Sequence, residues 1–180
     1  MRRPNLDNLP DMQLLPYGYR IEVCDKKNTD QRDRLASLLE AAFEDASWTP
    51  EKAETALLFN EGVKQTFLIF DGDEIVATAS VRLLPIEFPD SGYLHWVASS
   101  PEYKGKGLGY SATVAALNAF RDLGCKDTVL ETQDHRLPAI QTYLKLGFAP
   151  EYIQPSHQAR WDIILEQLRD YRRKAEGEKI

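Results

Sequence analysis

Only two cysteines occur among the 180 residues, Cys24 and Cys125, and they lie far apart in the chain. That spacing excludes a disulfide framework and a thiolate metal site, and predicts reduced, partly buried thiols in a cytoplasmic protein. Histidines number three and are scattered. No cluster of His, Cys and acidic residues implies a metal. Long apolar runs are missing too, and none approaches the roughly 20 residues that span a bilayer, so no membrane partner is expected. Arg2 and Arg3 lead into Pro4, Asn5 and Asp7 rather than into the apolar segment of a secretory signal. Positive charge is in the minority, 22 Lys and Arg against 28 Asp and Glu, for a net charge of −6. That balance argues against a nucleic-acid footprint and is compatible with a cationic small substrate.

What is present is an ordinary globular composition, 43% apolar and 28% charged, long enough for one domain with a substantial core. Residues 1–17 carry Pro4, Pro10 and Pro16 with Leu6, Leu9, Leu14 and Leu15 between them. Proline forbids a long helix there. The leucines fit an extended arm laid over the domain or over a second copy of the chain, as in a homodimer; a loosely ordered tail is the alternative. Residues 18–180 read as a single domain, without repeats or a dividing linker.

Gly18–Val23 alternates as a strand does. Asn28, Thr29 and Asp30 offer caps for a helix through Leu35, Leu38, Leu39, Ala42 and Phe43. Thr49-Pro50 opens a shorter helix through Leu57, Leu58 and Phe59. Strands over Thr66–Phe70 and Glu74–Leu84 flank the hairpin turn Asp71-Gly72-Asp73. Tyr93–Ser99 is apolar on both parities, as in a strand covered on two faces. Gly107–Leu123 is a helix with the stripe Leu108, Ala112, Ala115, Ala116, Ala119, Phe120 and Leu123, closed by Gly124. A strand over Asp127–Thr132, a helix over Leu137–Leu146, a short strand over Phe148–Ile153 and an amphipathic helix from Ser156 complete the reading. The order predicts an α/β fold: a mixed, mostly antiparallel sheet, parallel where strand–helix–strand units occur, with helices on both faces.

The loop Lys104-Gly105-Lys106-Gly107-Leu108-Gly109 lies between a strand and a helix. Glycine lets the backbone approach a ligand, and the free N–H groups of the helix start point into the same space, where they bind phosphate oxygens. Tyr110 after Gly109 departs from the P-loop, which needs Lys-Ser or Lys-Thr there, and from the dinucleotide fingerprint, which needs glycine there. Glu131, about twenty residues on, does mimic the ribose-binding acid of the dinucleotide fold, so a nucleotide-binding protein stays as a distant reading.

The loop resembles the (Gln/Arg)-x-x-G-x-(G/A) loop of the GNAT superfamily of acyl-CoA-dependent N-acyltransferases, with Lys104 in the first position. Ala139, Tyr143 and Gly147-Phe148 resemble the family's A-x-x-x-Y-x-x-x-G-F segment at the right separation. The resemblance covers roughly Leu68–Ile153. Departures are Arg136 at the start of the last family helix, where many members have Asn, and a helix from Ser156 in place of the final strand. The resemblance implies that acetyl-CoA is the cosubstrate. Val97, Ala98 and Ser99 would bind its pantetheine arm through their backbone and polarise the thioester. Lys104, Gly105, Lys106, Gly107, Leu108, Gly109 and Tyr110 would hold its pyrophosphate. No metal is implied. Tyr143 would be the general acid, and His95 or Glu131 the base for an amine acceptor, small molecule or peptide. From the residues alone, Tyr143 also fits aromatic packing, His95 a satisfied core histidine, and Glu131 a solvated strand end. Tyr93, Trp96 and Trp161 read as core packing, with an acceptor-pocket lining as the alternative. The resemblance thus implies direct acetyl transfer in a ternary complex; a non-catalytic acyl-CoA sensor on the same fold is its rival.

Overall fold

The apolar alternation of the early strands and the 3.6-residue stripes of the helices build one six-stranded sheet covered on both faces. The structure, a computed structural model, describes residues 1–11, 15–43 and 47–177; Leu14 of the N-terminal arm lies outside them. The strands are β1 (Arg2–Arg3), β2 (Tyr19–Val23), β3 (Val63–Asp71), β4 (Glu74–Leu83), β5 (Ser91–Ser99) and β6 (Asp127–Val129). The sheet order is β1-β6-β5-β4-β3-β2. Only β5 and β6 run parallel, because the helix α3 (Leu108–Asp122) carries the chain back between them. Every other pairing is antiparallel.

Alternation sorts the sheet's side chains onto two cores. Ile69, Ala77, Ala79, Val81 and Leu94 meet Ala112, Ala116 and Phe120 of α3. Leu68, Phe70 and Ile75 meet the helix α1 (Thr29–Ala42), which buries Leu35, Leu38 and Leu39. Asn28 caps α1 by accepting from the Gln31 N–H, and Thr49 caps the short α2 (Pro50–Ala53) by accepting from Lys52. α2 then widens into a single π turn over Glu54–Leu58, closed by the Phe59 N–H donating to Glu54 at 2.9 Å. Gly92 is required where β5 meets α3: a Cβ there would lie 2.3 Å from the Phe120 ring. The α3 stripe ends one residue early, since Leu123 caps the helix and is 47% exposed.

Two expectations for the end of the sheet change. β6 stops at Val129 instead of reaching Thr132, and Phe148–Ile153 is no strand, making one bridge only, Ala149 with Arg2. The place beside β6 goes to the N-terminal segment. Arg2 and Arg3 pair with Val129 and Thr128, and Arg2 is flanked on its other side by Ala149. Met1 and Leu130 exchange both main-chain hydrogen bonds, at 2.9 and 3.0 Å. Side chains then fasten the segment. Arg2 donates to Glu151 at 2.9 Å, Asp127 at 2.8 Å and Ser91 at 3.2 Å. Arg3, buried, donates to the Leu146 carbonyl at 2.9 Å and to the carbonyls of Asn5 and Asp7. Leu6 is buried against the α3-side core, with Leu9 and Leu15 partly buried on it. After α4 (Leu137–Lys145), α5 (His157–Gly177) packs Ile164 and Leu168 on Ile140.

Cys24 and Cys125 are both free thiols. Burial pushes Cys24 up to about 11 and also raises Cys125. Among the described residues no helix is long and apolar enough to cross a membrane.

Candidate active site

The site is organised by β5, which changes character halfway along. Ser91, Gly92 and Tyr93 pair with Asp127, Thr128 and Val129 of β6 on one edge, and Gly92 and Tyr93 with Leu83 and Arg82 of β4 on the other. Beyond Tyr93 the β4 pairing continues to Ser99, but β6 has ended, so the second edge of β5 is open. Within that half, Thr78 pairs with Ala98 and Ser80 with His95, so Ala79 alone faces both Trp96 and Val97. This is a β-bulge, with Trp96 at φ +44°. A left-handed conformation costs a bulky residue on the order of 1–2 kcal/mol. Aromatic packing offsets that cost: the Trp96 ring sits edge-on to Trp48 at 4.7 Å and to Phe43 at 5.3 Å.

The bulge turns His95 and Trp96 to one face, where their rings lie 5.7 Å apart. It also sets which N–H groups meet the open edge. Ser100 donates to Val76 of β4 at 2.9 Å. By alternation the N–H of Ser99, and that of Val97 two residues before it, point the other way. Ala98 turns its N–H to β4 and its buried methyl into the α1-side core.

The glycine loop follows directly. Gly105 (φ +83°) and Gly107 (φ +73°) adopt backbone that other residues avoid. Gly109 faces the end of β5, where a Cβ would make ordinary contact with the Ser99 Oγ at 3.8 Å. The first helical N–H to find an acceptor is that of Ser111, on Gly107 at 3.0 Å. Those of Leu108, Gly109 and Tyr110 are therefore free at the positive end of α3. Leu108 contributes only backbone, its side chain being buried in the core. Lys104 is exposed. Lys106 is drawn aside, donating to the Tyr19 hydroxyl at 2.7 Å and lying 4.6 Å from the centre of the Tyr103 ring.

The three candidate acid–base residues do not form one cluster. Glu131, exposed just past the end of β6, accepts a 2.9 Å hydrogen bond from the Tyr93 hydroxyl. Burial, and then the Glu131 carboxylate, push the Tyr93 phenol up to about 12, so it stays a donor. His95 neighbours Tyr93, rings 5.8 Å apart, and its Nδ1 is buried without a partner. Burial lowers His95 to about 4, with a smaller push from the Arg82 guanidinium. It is neutral at working pH. Tyr143 belongs to the α3-side core, packed edge-on against Phe148 at 5.8 Å. Burial pushes it up to about 12, against a smaller opposite effect of Arg136. Arg136, at the start of α4, makes no cap and lies over the Phe43 ring at 4.7 Å.

Beside Glu131 opens a cavity of about 360 Å³, whose walls include Phe88, Tyr93, Ile140 and Trp161. Tyr93 and Trp161 thus line it, where the sequence read core packing, while Trp96 is a packing residue as read. Sequence reasoning missed Phe88, stacked on Tyr93 at 5.8 Å. Its position in a proline-bearing connection carries no periodicity, so only the fold reveals it. Among the described residues no group of three or more His, Cys, Asp or Glu is arranged to hold a metal ion.

An open strand edge, a free helix N-terminus and a glycine loop between them form an arrangement able to hold an extended, phosphate-bearing ligand, and comparisons with known proteins assign the class. Residues 32–148 match the model of the acetyltransferase (GNAT) family, and the chain belongs to that family. It is 28% identical over 155 residues to a mycothiol acetyltransferase of Actinosynnema mirum, covering 83% of this chain and 50% of that protein. It is 35% identical over 81 residues to N-acetyltransferase 8B of Rattus norvegicus, covering 43% of this chain and 36% of that one. The chain thus spans about half the length of these curated relatives, or less. Among solved structures, the ribosomal-protein-S18-alanine N-acetyltransferase of Escherichia coli superposes with a TM-score of 0.61 at 19% identity, covering 74% of this chain and 79% of that one. An aminoglycoside acetyltransferase from an uncultured soil metagenomic sample gives 0.65 at 17%, covering 78% and 95%. At those identities the likeness is one of fold.

Proposed function

We propose that the protein transfers acetyl from acetyl-CoA to a primary amine by direct attack in a ternary complex. The arm over residues 1–17 and the body from residue 18 onward act as one acyltransferase unit. The observation that carries this reading is the open edge of β5, ending beside the free N–H groups of α3. An extended pantetheine arm adds to that edge as a further strand, meeting the N–H groups of Val97 and Ser99. The pyrophosphate then falls at Gly105–Tyr110. An N–H on the open edge polarises the thioester carbonyl and stabilises the oxyanion that follows.

The chemistry needs two protons to leave the acceptor nitrogen. The acceptor ammonium loses a proton to Glu131, directly or through water, and the freed amine attacks the carbonyl carbon. The tetrahedral intermediate loses the second proton from its nitrogen to solvent and collapses with cleavage of the C–S bond, and the thiolate that leaves is protonated by water. Tyr143 serves mainly as a hydrogen-bond donor to that thiolate, because a phenol at about 12 is a weaker acid than an ordinary thiol, about 8.5. His95, neutral and hemmed in by Tyr93 and Trp96, packs behind Tyr93 rather than carrying protons. The cavity beside Glu131 gives the acceptor side an opening, which favours catalysis over a sensor role.

Calorimetry with acetyl-CoA tests the reading. Binding in the micromolar range is expected, followed by free-thiol release when an amine panel is added. No heat at hundreds of micromolar would reject it. Binding without turnover on any amine would favour the sensor.

A further inference from the structure

The cavity beside Glu131 has a charge arrangement that restricts what it can take. Three carboxylates lie on it: Glu131, Asp134 and Glu151. Asp134 accepts two hydrogen bonds from Arg160 of α5, from Nη2 at 2.8 Å and Nε at 3.0 Å. Glu151 accepts from Arg2 at 2.9 Å. Each is answered by a guanidinium that stays charged at any working pH. Glu131 differs, since its hydrogen bond comes from the neutral Tyr93 hydroxyl. His157 also lies on the cavity, its Nδ1 3.2 Å from the Glu151 carbonyl. Among the described residues Glu131 is thus the cavity carboxylate without an ion pair. The one further cation on the wall near it, the Met1 α-ammonium, attracts it but donates to the Leu130 carbonyl, and a second ammonium entering the cavity meets this group and arginine.

The remaining surface is flat and apolar. Phe88 stacks on Tyr93 with their planes 21° apart, and the Trp161 ring is presented from α5. Val129, Ile140 and Ile164 supply aliphatic surface. A volume of about 360 Å³ is near the small end of ligand sites, which start at about 300 Å³.

We infer that this cavity is an acceptor subsite for a compact amine, one that carries a single ammonium on a flat, uncharged, ring-sized body. The ammonium is held at Glu131, and the body lies against Phe88, Tyr93 and Trp161. Polyamines and lysine-rich peptides are disfavoured. Trp161 and Arg160, both from the helix that stands in place of a final strand, are the specificity residues. The inference rests on the acetyl-transfer reading above.

The test is a substrate panel on the full chain, read both as thiol release and as heat of binding to the CoA-loaded protein. The probes are glucosamine and phenethylamine, one ammonium each on a sugar or an aromatic ring, against spermidine and a lysine-containing tetrapeptide. At least one monoamine is expected to exceed spermidine and the peptide by about tenfold in kcat/KM, a gap of one pairwise contact. Which one leads tells whether the body is a sugar or an arene. Equal or better use of spermidine or the peptide overturns the inference. Trp161→Ala is expected to raise the acceptor KM about tenfold with acetyl-CoA affinity unchanged, and Trp161→Phe to restore most of it. An unchanged acceptor KM overturns the role of Trp161. Should Trp161→Ala fail to fold, Arg160→Gln answers instead. By freeing Asp134 it should raise spermidine kcat/KM several-fold, and no change counts against the inference. Loss of acetyl-CoA binding or of all turnover rejects acetyl transfer itself; the monoamine binding preference is then read separately from the heats.

Discussion

The two halves of β5 differ in what their backbone edges meet. Gly92 and Tyr93 are paired on both edges, with β4 and with β6. Leu94–Ser99 is bonded on one edge only. In the first half the strand has a neighbour on each side, and side chains such as Tyr93 do the remaining work by reaching Glu131. In the second half the backbone itself is left over, and a strand edge with free N–H groups is a template for an extended ligand. The bulge at Trp96 marks the change. It adds one residue against Ala79 and bends the strand where its pairing with β6 has ended. On the function proposed above, ending β6 three residues early is what leaves that edge to a ligand.

Substitutions can break each half separately. Gly109→Val should have the largest effect. Its Cβ has room 3.8 Å from the Ser99 Oγ, but the branches would fill the space between the open edge and the α3 N–H groups. The fold should persist while acetyl-CoA affinity falls about a hundredfold, a loss calorimetry resolves. Glu131→Gln acts across the boundary between the halves. It keeps the hydrogen bond from Tyr93 and removes the base, so kcat should fall about a hundredfold with acetyl-CoA affinity unchanged. Tyr143→Phe should lower kcat about tenfold and leave CoA affinity within about twofold; an equal rate would take Tyr143 out of the chemistry.

Arg2→Ala loosens the closed half. It removes the contacts to Ser91, Asp127 and Glu151, which are partly solvent-exposed. A cost of about 1–2 kcal/mol is expected, seen as a melting temperature lower by about 4 °C. Acetyl-CoA affinity should change less than threefold if the closed half is only structural. At neutral pH the smallest effect concerns His95, whose contribution shows only in acid. Its folded pKa, about 4, lies below the ordinary 6.5. Between those values the unfolded chain takes up a proton that the folded chain refuses, so stability falls as pH drops from 6.5 toward 4. Above 6.5 both states are neutral and the group contributes no pH dependence. His95→Gln should flatten that acid-side loss by roughly 2 kcal/mol, allowing for residual solvent access to the ring. Denaturant titrations at pH 7 and pH 4.5 read the difference, and identical slopes would reject the assignment.

Much of this was legible before folding, but unevenly. The capped helix after Asn28, the hairpin at Gly72 and the α3 stripe all appear where local pattern places them. Glycines 105 and 107 do take the backbone that only glycine takes easily. The end of the sheet was misread. Phe148–Ile153 has strand-like composition, but Arg2 occupies the position beside β6 and leaves it a single bridge. Nothing within either segment announces a partner more than 120 residues away.

The sequence by itself determined the helices, the hairpin, the glycine loop and the family, because each rests on residues within a few turns of one another. Side-chain period and backbone preference are local quantities. Tertiary structure alone decided three things. The N-terminal segment completes the sheet, Tyr93 meets Glu131, and α5 walls the cavity with Trp161. Each joins residues from distant parts of the chain, and which distant edges meet depends on packing the whole core, not on any one stretch of it.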